Sequence, residues 1–308
     1  MGLKTIQFLK MQTAWIFPGQ GSQKLGMGKD VIEINDAKRR FDFASNIFNR
    51  DLYQICEQQI DKKNEENDLN HTKNTQICLF LVESILLDAL KSKGYKPDYV
   101  AGHSLGEITA LYAAEVLSFE KCVSLIKVRS ELMSEAVKGS MAALIGFDRD
   151  ELKIAVENID DIVIANDNSS SQVVLSGKKE ALENLSQKIK CKRFIFLNVS
   201  GAFHSHFMEK PSQKFALYLD EINFKKPIFK VISNSNPTLS NDCHELKKRL
   251  KDQMCNGVRW RETMDLLSSN NISQIVEIGP SNVLGGLARR HLKSSKIIQI
   301  SSSINLAY

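Results

Sequence analysis

The residues best able to do chemistry stand at 102–107, Gly102-His103-Ser104-Leu105-Gly106-Glu107. A serine hydroxyl is a weak nucleophile until a base takes its proton. The G-x-S-x-G spacing is what a tight strand-to-helix turn demands. Glycines clear the neighbouring strand and helix, and the turn lifts the hydroxyl above the sheet. Tyr99-Val100-Ala101 reads as a short strand before the turn, and the apolar run Ile108–Leu117 as a buried helix after it. The first amides of such a helix are unpaired and sit at the positive end of its dipole, which suits a developing oxyanion. An accidental turn is the bland alternative; the strand-and-helix setting favours a nucleophile.

Six histidines could supply the base: His71, His103, His204, His206, His244 and His291. His71 and His244 lie in polar surroundings, and His291 in a basic run. His103 adjoins the serine, but neighbours on a tight turn point apart. His204 and His206, in Gly201-Ala202-Phe203-His204-Ser205-His206, fall where one structural unit gives way to another, and such junctions form clefts. Position favours this pair and does not choose between its members. A second glycine cluster, Phe17-Pro18-Gly19-Gln20-Gly21-Ser22-Gln23, follows the first strand. Its backbone could approach a reacting carbonyl. It lacks the GK[ST] of a phosphate loop and is no dinucleotide fingerprint.

The elements that must position these groups follow from periodicity. Ala14–Phe17 reads as a buried strand ending at Pro18-Gly19. Residues 29–60 read as helical, Asp61–Asn74 as a polar loop or solvated helix end, Thr75–Lys93 as a strong helix and Cys122–Val137 as another. Residues 140–200 change rhythm: strand 141–147, helix 148–157, strands 161–165 and 172–175 joined by a polar turn at 166–171, helix 178–190, strand 193–199. This βαββαβ order is the ferredoxin-like pattern. Strands near 229–232, 274–278 and 296–300 alternate with helices, which argues for a mainly parallel α/β sheet.

The bulk numbers exclude several classes. The 308 residues carry 43% hydrophobic and 25% charged side chains, an ordinary soluble composition. The net charge of +5 carries no concentrated basic face of the kind nucleic acid requires. The basic runs Lys247–Lys251 and Arg289–Lys293 read as solvated helix faces, with docking of an acidic carrier as the sharper alternative. Six scattered cysteines show neither CxxC spacing nor a zinc pattern, so reduced thiols and no metal are expected. Lys10 interrupts the N-terminal apolar stretch before signal-peptide length, and no run approaches a membrane span. The expected compartment is the cytoplasm, with an organellar matrix or stroma as the alternative.

Four stretches together, FPGQGSQ at 17–23, GHSLGE at 102–107, GAFHS at 201–205 and EIGP at 277–280, resemble the malonyl-CoA:acyl carrier protein transacylases and the acyltransferase domains of fatty acid and polyketide synthases. The resemblance covers residues 14–302. It implies an α/β-hydrolase-like large subdomain, 1–139 and 201–308, with an inserted ferredoxin-like small subdomain, 140–200. It implies Ser104 as nucleophile, His204 as general base, the backbone N–H groups of Gln20 and Leu105 as oxyanion hole, Arg129 as the grip on a malonyl carboxylate, and the main-chain carbonyl of Gln253 as the group that orients the imidazole. Phe203 is similar to the residue that accompanies malonyl selection. The implied partners are malonyl-CoA and acyl carrier protein, with no nucleic acid or membrane, no cofactor and a monomeric chain. Two positions depart from the family: Ser130 stands where glycine is usual, and Gly257 where proline is usual, which predicts a looser loop after Gln253.

Two rival readings make separate predictions. A serine hydrolase needs an acidic triad member and releases the acyl group to water. A carrier-binding scaffold needs no reactive serine.

Overall fold

Strand β1, Thr13–Phe17, is the apolar run expected from its sequence, and every residue after the first is buried. The computed structural model describes residues 12–58, 67–135, 139–199 and 201–306. The N-terminal stretch read for targeting, part of the polar stretch after residue 58 and the end of the expected helix near Val137 lie outside the described residues. After β1 come α1 (Ala37–Phe48), α2 (Leu52–Glu57), α3 (Thr72–Ser92), β2 (Tyr99–Gly102), α4 (Gly106–Ala113) and α5 (Phe119–Glu135). Then follow β3 (Ser140–Phe147), α6 (Arg149–Glu157), β4 (Ile162–Ser169), β5 (Gln172–Gly177), α7 (Lys179–Lys188) and β6 (Cys191–Phe196). The chain continues through α8 (Glu209–Asp220), β7 (Lys230–Ile232), β8 (Leu239–Ser240), α9 (Cys243–Asp252), α10 (Trp260–Ser269), β9 (Gln274–Ile278), α11 (Val283–His291) and β10 (Lys296–Ile300).

Six strands form one sheet in the order β10-β9-β1-β2-β7-β8. All pairs are parallel except β7 with β8. Strands covered on both faces read as continuous apolar runs rather than alternating ones, which is why Trp15-Ile16-Phe17 and Tyr99-Val100-Ala101 are buried without a polar face. Helix α3 is buried all round at Ile77–Val82, the pattern of a helix enclosed by other elements. It packs against α4 and α5, and α4 in turn against β1 and β2.

The second sheet is antiparallel, in the order β4-β5-β3-β6. Helices α6 and α7 seal a core of Leu144, Leu152, Ile162, Val173, Leu175, Leu182 and Leu185 against it. Each such side chain contributes about 1.5–3 kcal/mol on burial. The α/β class and the βαββαβ order are those expected.

Two segments differ from the sequence reading. Residues 29–60 are not one helical stretch: Asp36 at φ 70° and Asn49 at φ 53° break the chain on either side of α1. The polar residues 166–171 form a turn only at Ser170 and Ser171. Strand β4 runs on through Ser169, with irregular register against β5. Its polar half is extended because it has a second partner: the Asp167 N–H donates to Val258 O at 2.9 Å and the Val258 N–H to Ala165 O at 2.8 Å.

Candidate active site

Ser104 sits in the turn between β2 and α4 at φ 53°, a conformation a non-glycine residue adopts only when its surroundings impose it. The two flanking glycines impose it. A Cβ on Gly102 would collide with the backbone of Gly106, and one on Gly106 with the Phe17 carbonyl of β1. Asn234, just beyond β7, clamps the turn from the other side. Its Oδ1 accepts from the Ser104 N–H at 2.6 Å and its Nδ2 donates to Gly102 O at 2.5 Å. Leu105 caps α4, so its N–H belongs to the amides without an intrahelical partner. The turn carrying Gly19 lies against His103, and Gln20 lines the same pocket as Ser104 and Leu105.

The Ser104 hydroxyl donates to His204 Nε2 at 2.8 Å. His204 itself holds φ 56° and is buried. Its Nδ1 lies 3.0 Å from Gln253 O and 3.2 Å from Asn256 O. Two carbonyl acceptors fix the proton on Nδ1 and leave the Nε2 lone pair facing the serine. Burial, and after it the positive charge of Arg129, pull the His204 pKa down to about 3, so the imidazole is neutral at physiological pH. The pair left open by the sequence is thereby separated: His206 is exposed, its ring tilted against that of Phe207 with centroids 4.2 Å apart. His103 points away, to Asn168 Oδ1 at 2.9 Å, with its ring against Trp260.

Arg129 projects from α5 and is 1% exposed. Its Nη1 donates to Gln76 Oε1 at 2.5 Å; its Nη2 donates to Ser104 Oγ at 3.1 Å and Gln253 Oε1 at 2.9 Å. Among the described residues it has no carboxylate in direct contact, and its Nε is buried without a partner. Burial draws its pKa down to about 10, while the charge of Glu107 acts in the opposite direction. Together these groups line a narrow pocket of about 70 Å³, closed by Met133, Met141, Leu197, Val199 and Phe203. That space takes a short acyl unit.

Gln76, Glu107 and Asn234 were not singled out by sequence reasoning. Gln76 carried a signal: it is a polar side chain within the apolar stretch of α3 and is 1% exposed. Ser130 is accommodated without strain, its Oγ donating to Lys127 O at 3.1 Å. The loop after Gln253 is not loose. A Cβ at Gly257 would lie 2.7 Å from Ile164 O, and this close approach lets Val258 bridge to β4. The first basic run is not simply a solvated face either: Arg249 is buried, paired with Glu245 and the carbonyls of Asn236 and Thr238. Lys251 pairs with Asp220. All six cysteines are free. Among the described residues, no group of His, Cys, Asp and Glu is arranged to hold a metal, and no helix is long and apolar enough to cross a membrane.

A serine on an elbow of an α/β sheet, bonded to a neutral histidine, defines the class of proteins built for acyl chemistry at a hydroxyl. Residues 14–304 match the acyl transferase domain, and the chain belongs to that family. It is 45% identical over 280 residues to the malonyl CoA-acyl carrier protein transacylase of Synechocystis sp., covering 91% of this chain and 94% of that protein. The crystal structure of the Synechocystis malonyl-CoA:ACP transacylase superposes with a TM-score of 0.92 at 43% identity, over 96% of this chain and 99% of that one. A type II PKS acyl-carrier protein in complex with its malonyl-transacylase gives a TM-score of 0.89 at 32% identity, over 96% and 98% of the two chains.

Proposed function

We propose that the chain transfers the malonyl group of malonyl-CoA to the phosphopantetheine thiol of an acyl carrier protein, through a malonyl-serine intermediate, and so supplies acyl-chain elongation. The observation that carries this reading is the buried Arg129 guanidinium. It lies 3.1 Å from Ser104 Oγ, touches no carboxylate among the described residues and keeps one donor unfilled. A cation held this way in the dry interior favours an incoming carboxylate, and only a guanidinium offers it two parallel hydrogen bonds. Malonyl carries that carboxylate; acetyl does not.

Ser104 Oγ attacks the thioester carbonyl carbon while His204 Nε2 takes its proton. The oxyanion is held by the N–H groups of Leu105 and Gln20. When the intermediate collapses, the C–S bond breaks and the imidazolium returns its proton to the departing CoA sulfur. The carrier thiol then gives its proton to His204 and attacks the malonyl ester, and the proton returns to Ser104 as the ester bond breaks. Gln253 and Asn256 carbonyls hold the ring in the required tautomer, which makes the pair a dyad with no acidic member. This chemistry draws on side chains and backbone alone. The same reading places the division of the chain at 1–139 and 201–308 against 140–200, supported by the separate antiparallel sheet with its own core, and the protein in the cytoplasm.

Intact-protein mass spectrometry after brief mixing with malonyl-CoA or acetyl-CoA tests the reading. A malonyl increment is expected on the wild type, absent in Ser104→Ala and reduced in Arg129→Ala, and an added carrier protein should remove it. An equal acetyl increment that Arg129→Ala leaves unchanged would overturn the malonyl assignment. Rapid loss of the increment to water without carrier would favour a hydrolase.

A further inference from the structure

Glu107 closes the serine motif, yet no step above uses it. It is 1% exposed on the first turn of α4. Its Oε2 accepts from Gln253 Nε2 at 2.7 Å and from the Asn234 N–H at 3.2 Å. Gln253 Nε2 also donates to Ser104 O at 2.9 Å. Both neighbours of that amide nitrogen are acceptors, so the amide has one orientation open to it: nitrogen toward Glu107 and Ser104, oxygen toward Arg129. The same residue gives its main-chain carbonyl to His204. One glutamine therefore touches the serine, the histidine and the arginine, and Glu107 together with the Ser104 carbonyl sets which way its side chain faces.

We propose that Glu107 is a positioning residue for acyl selectivity: through the Gln253 amide it holds the Arg129 guanidinium in register with Ser104 and sets a carboxylate near that buried cation. The inference rests on Arg129 as the seat of the substrate carboxylate. Two links support it. The hydrogen-bonded path Glu107–Gln253–Arg129 fixes direction, since the Gln253 amide nitrogen faces only acceptors and its oxygen faces a guanidinium donor. The charge acts over a longer reach: Glu107 favours the charged form of Arg129, while the positive charge of Arg129 disfavours that of His204. The titratable groups facing the guanidinium are Glu107 on α4 and His204 in the loop before α8. Helix α3 and the end of α9 offer the neutral Gln76 and Gln253. Glu107 thus favours the charged form of Arg129 against the burial that disfavours it, while burial raises the pKa of Glu107 itself, and it makes no direct contact with the guanidinium.

The test compares malonyl and acetyl loading of Ser104 by mass spectrometry in the wild type, Glu107→Ala and Glu107→Gln, with thermal melts to show that each variant is folded. Glu107→Ala removes one of the two acceptors that hold the Gln253 amide nitrogen, and the malonyl-over-acetyl preference should fall by about tenfold or more, the worth of one charge-assisted hydrogen bond. Glu107→Gln keeps an acceptor oxygen for Gln253 and removes the charge. It should restore most of the preference near neutral pH, while the alkaline limb of malonyl loading moves to lower pH, because Arg129 loses its proton more easily without the anion. Acetyl loading should show no such movement. A purely structural role would lower both acyl groups equally in Glu107→Ala and leave the alkaline limb of Glu107→Gln in place, and that result would overturn the proposal. If Glu107→Ala does not fold, the pH limb of Glu107→Gln decides. A wild type that takes up no malonyl group sinks the transacylase reading itself, whereas a wild type that loads malonyl with unchanged preference in both variants sinks this inference alone.

Discussion

Ser104 and His204 meet at 2.8 Å, and both hold a left-handed backbone, at φ 53° and 56°. The means by which each is held differ. Ser104 is held largely by its own neighbourhood. Gly102 and Gly106 stand two residues away on either side, β2 and α4 are contiguous with it, and the long-range contact from Asn234 tightens what the local turn already dictates. His204 has no comparable local support. Its ring is oriented by carbonyls 49 and 52 residues away, at Gln253 and Asn256, and that loop is tied in turn to β4 through Val258 and Asp167. The serine is placed by a rigid local turn, the histidine by contacts assembled across the fold.

The largest effect should come from breaking the local side. Gly102→Ala puts a methyl group into the Gly106 backbone. Neither atom belongs to a flexible side chain, so the turn itself must move, at a cost of about 3 kcal/mol or more. Urea unfolding should show this loss together with the disappearance of the acyl adduct. Gly286→Ala is the matching control: nothing lies within 4 Å of the added methyl on α11, and a helical glycine replaced by alanine gains about 0.4–1 kcal/mol.

The histidine side should respond to charge rather than to shape. An ordinary histidine titrates near 6.5, but His204 is held neutral down to about 3. The rate of acyl loading should therefore stay on its plateau as pH falls through 6 and 5, where an unperturbed base would already have lost most of its activity. The linked stability has a definite sign. Between about 6.5 and 3 the unfolded chain binds a proton at this residue that the folded one refuses, so His204 makes stability decline as pH falls across that window. Arg129→Met removes the second cause of the shift, and the acid limb of acetyl loading should move to higher pH. An acid limb near 6.5 in the wild type would show that water reaches the ring.

This asymmetry also explains what could be read from the amino acids alone. The elbow was legible because its determinants are contiguous: strand, glycines, serine and helix fall within about twenty residues. The α/β class and the βαββαβ insertion were legible from period and order for the same reason. By position the two histidines of Phe203-His204-Ser205-His206 were equivalent, and only the resemblance to a family preferred the first. What separates them is a carbonyl geometry no local pattern encodes. The polar run 166–171 reads as a turn throughout, yet only Ser170 and Ser171 turn, because the second strand partner of Asn166 and Asp167, Val258, is about ninety positions away. Glu107 was in plain view and its role was not, since the amide it faces is 146 residues distant.

The smallest expected effect probes the outermost tie of the histidine side. Asp167 on β4 pairs with Arg149 at 2.8 Å and with Arg261 of α10 at 3.0 Å, next to the backbone bonds that join β4 to Val258. Asp167→Asn preserves the shape and removes the charge. Both arginines are about one-third exposed, so solvent takes over much of the lost interaction and stability should drop by only about 1 kcal/mol. The loop bearing Gln253 and Asn256 keeps its backbone bridge but loses the ionic brace beside it. Acyl loading should then slow by a few-fold, while the Ser104 elbow, which shares none of these contacts, keeps its reactivity toward a small fluorophosphonate that needs less from the base. Equal loss with both reagents would mean that the brace supports the whole site, and that the two halves are not held as independently as their contacts imply.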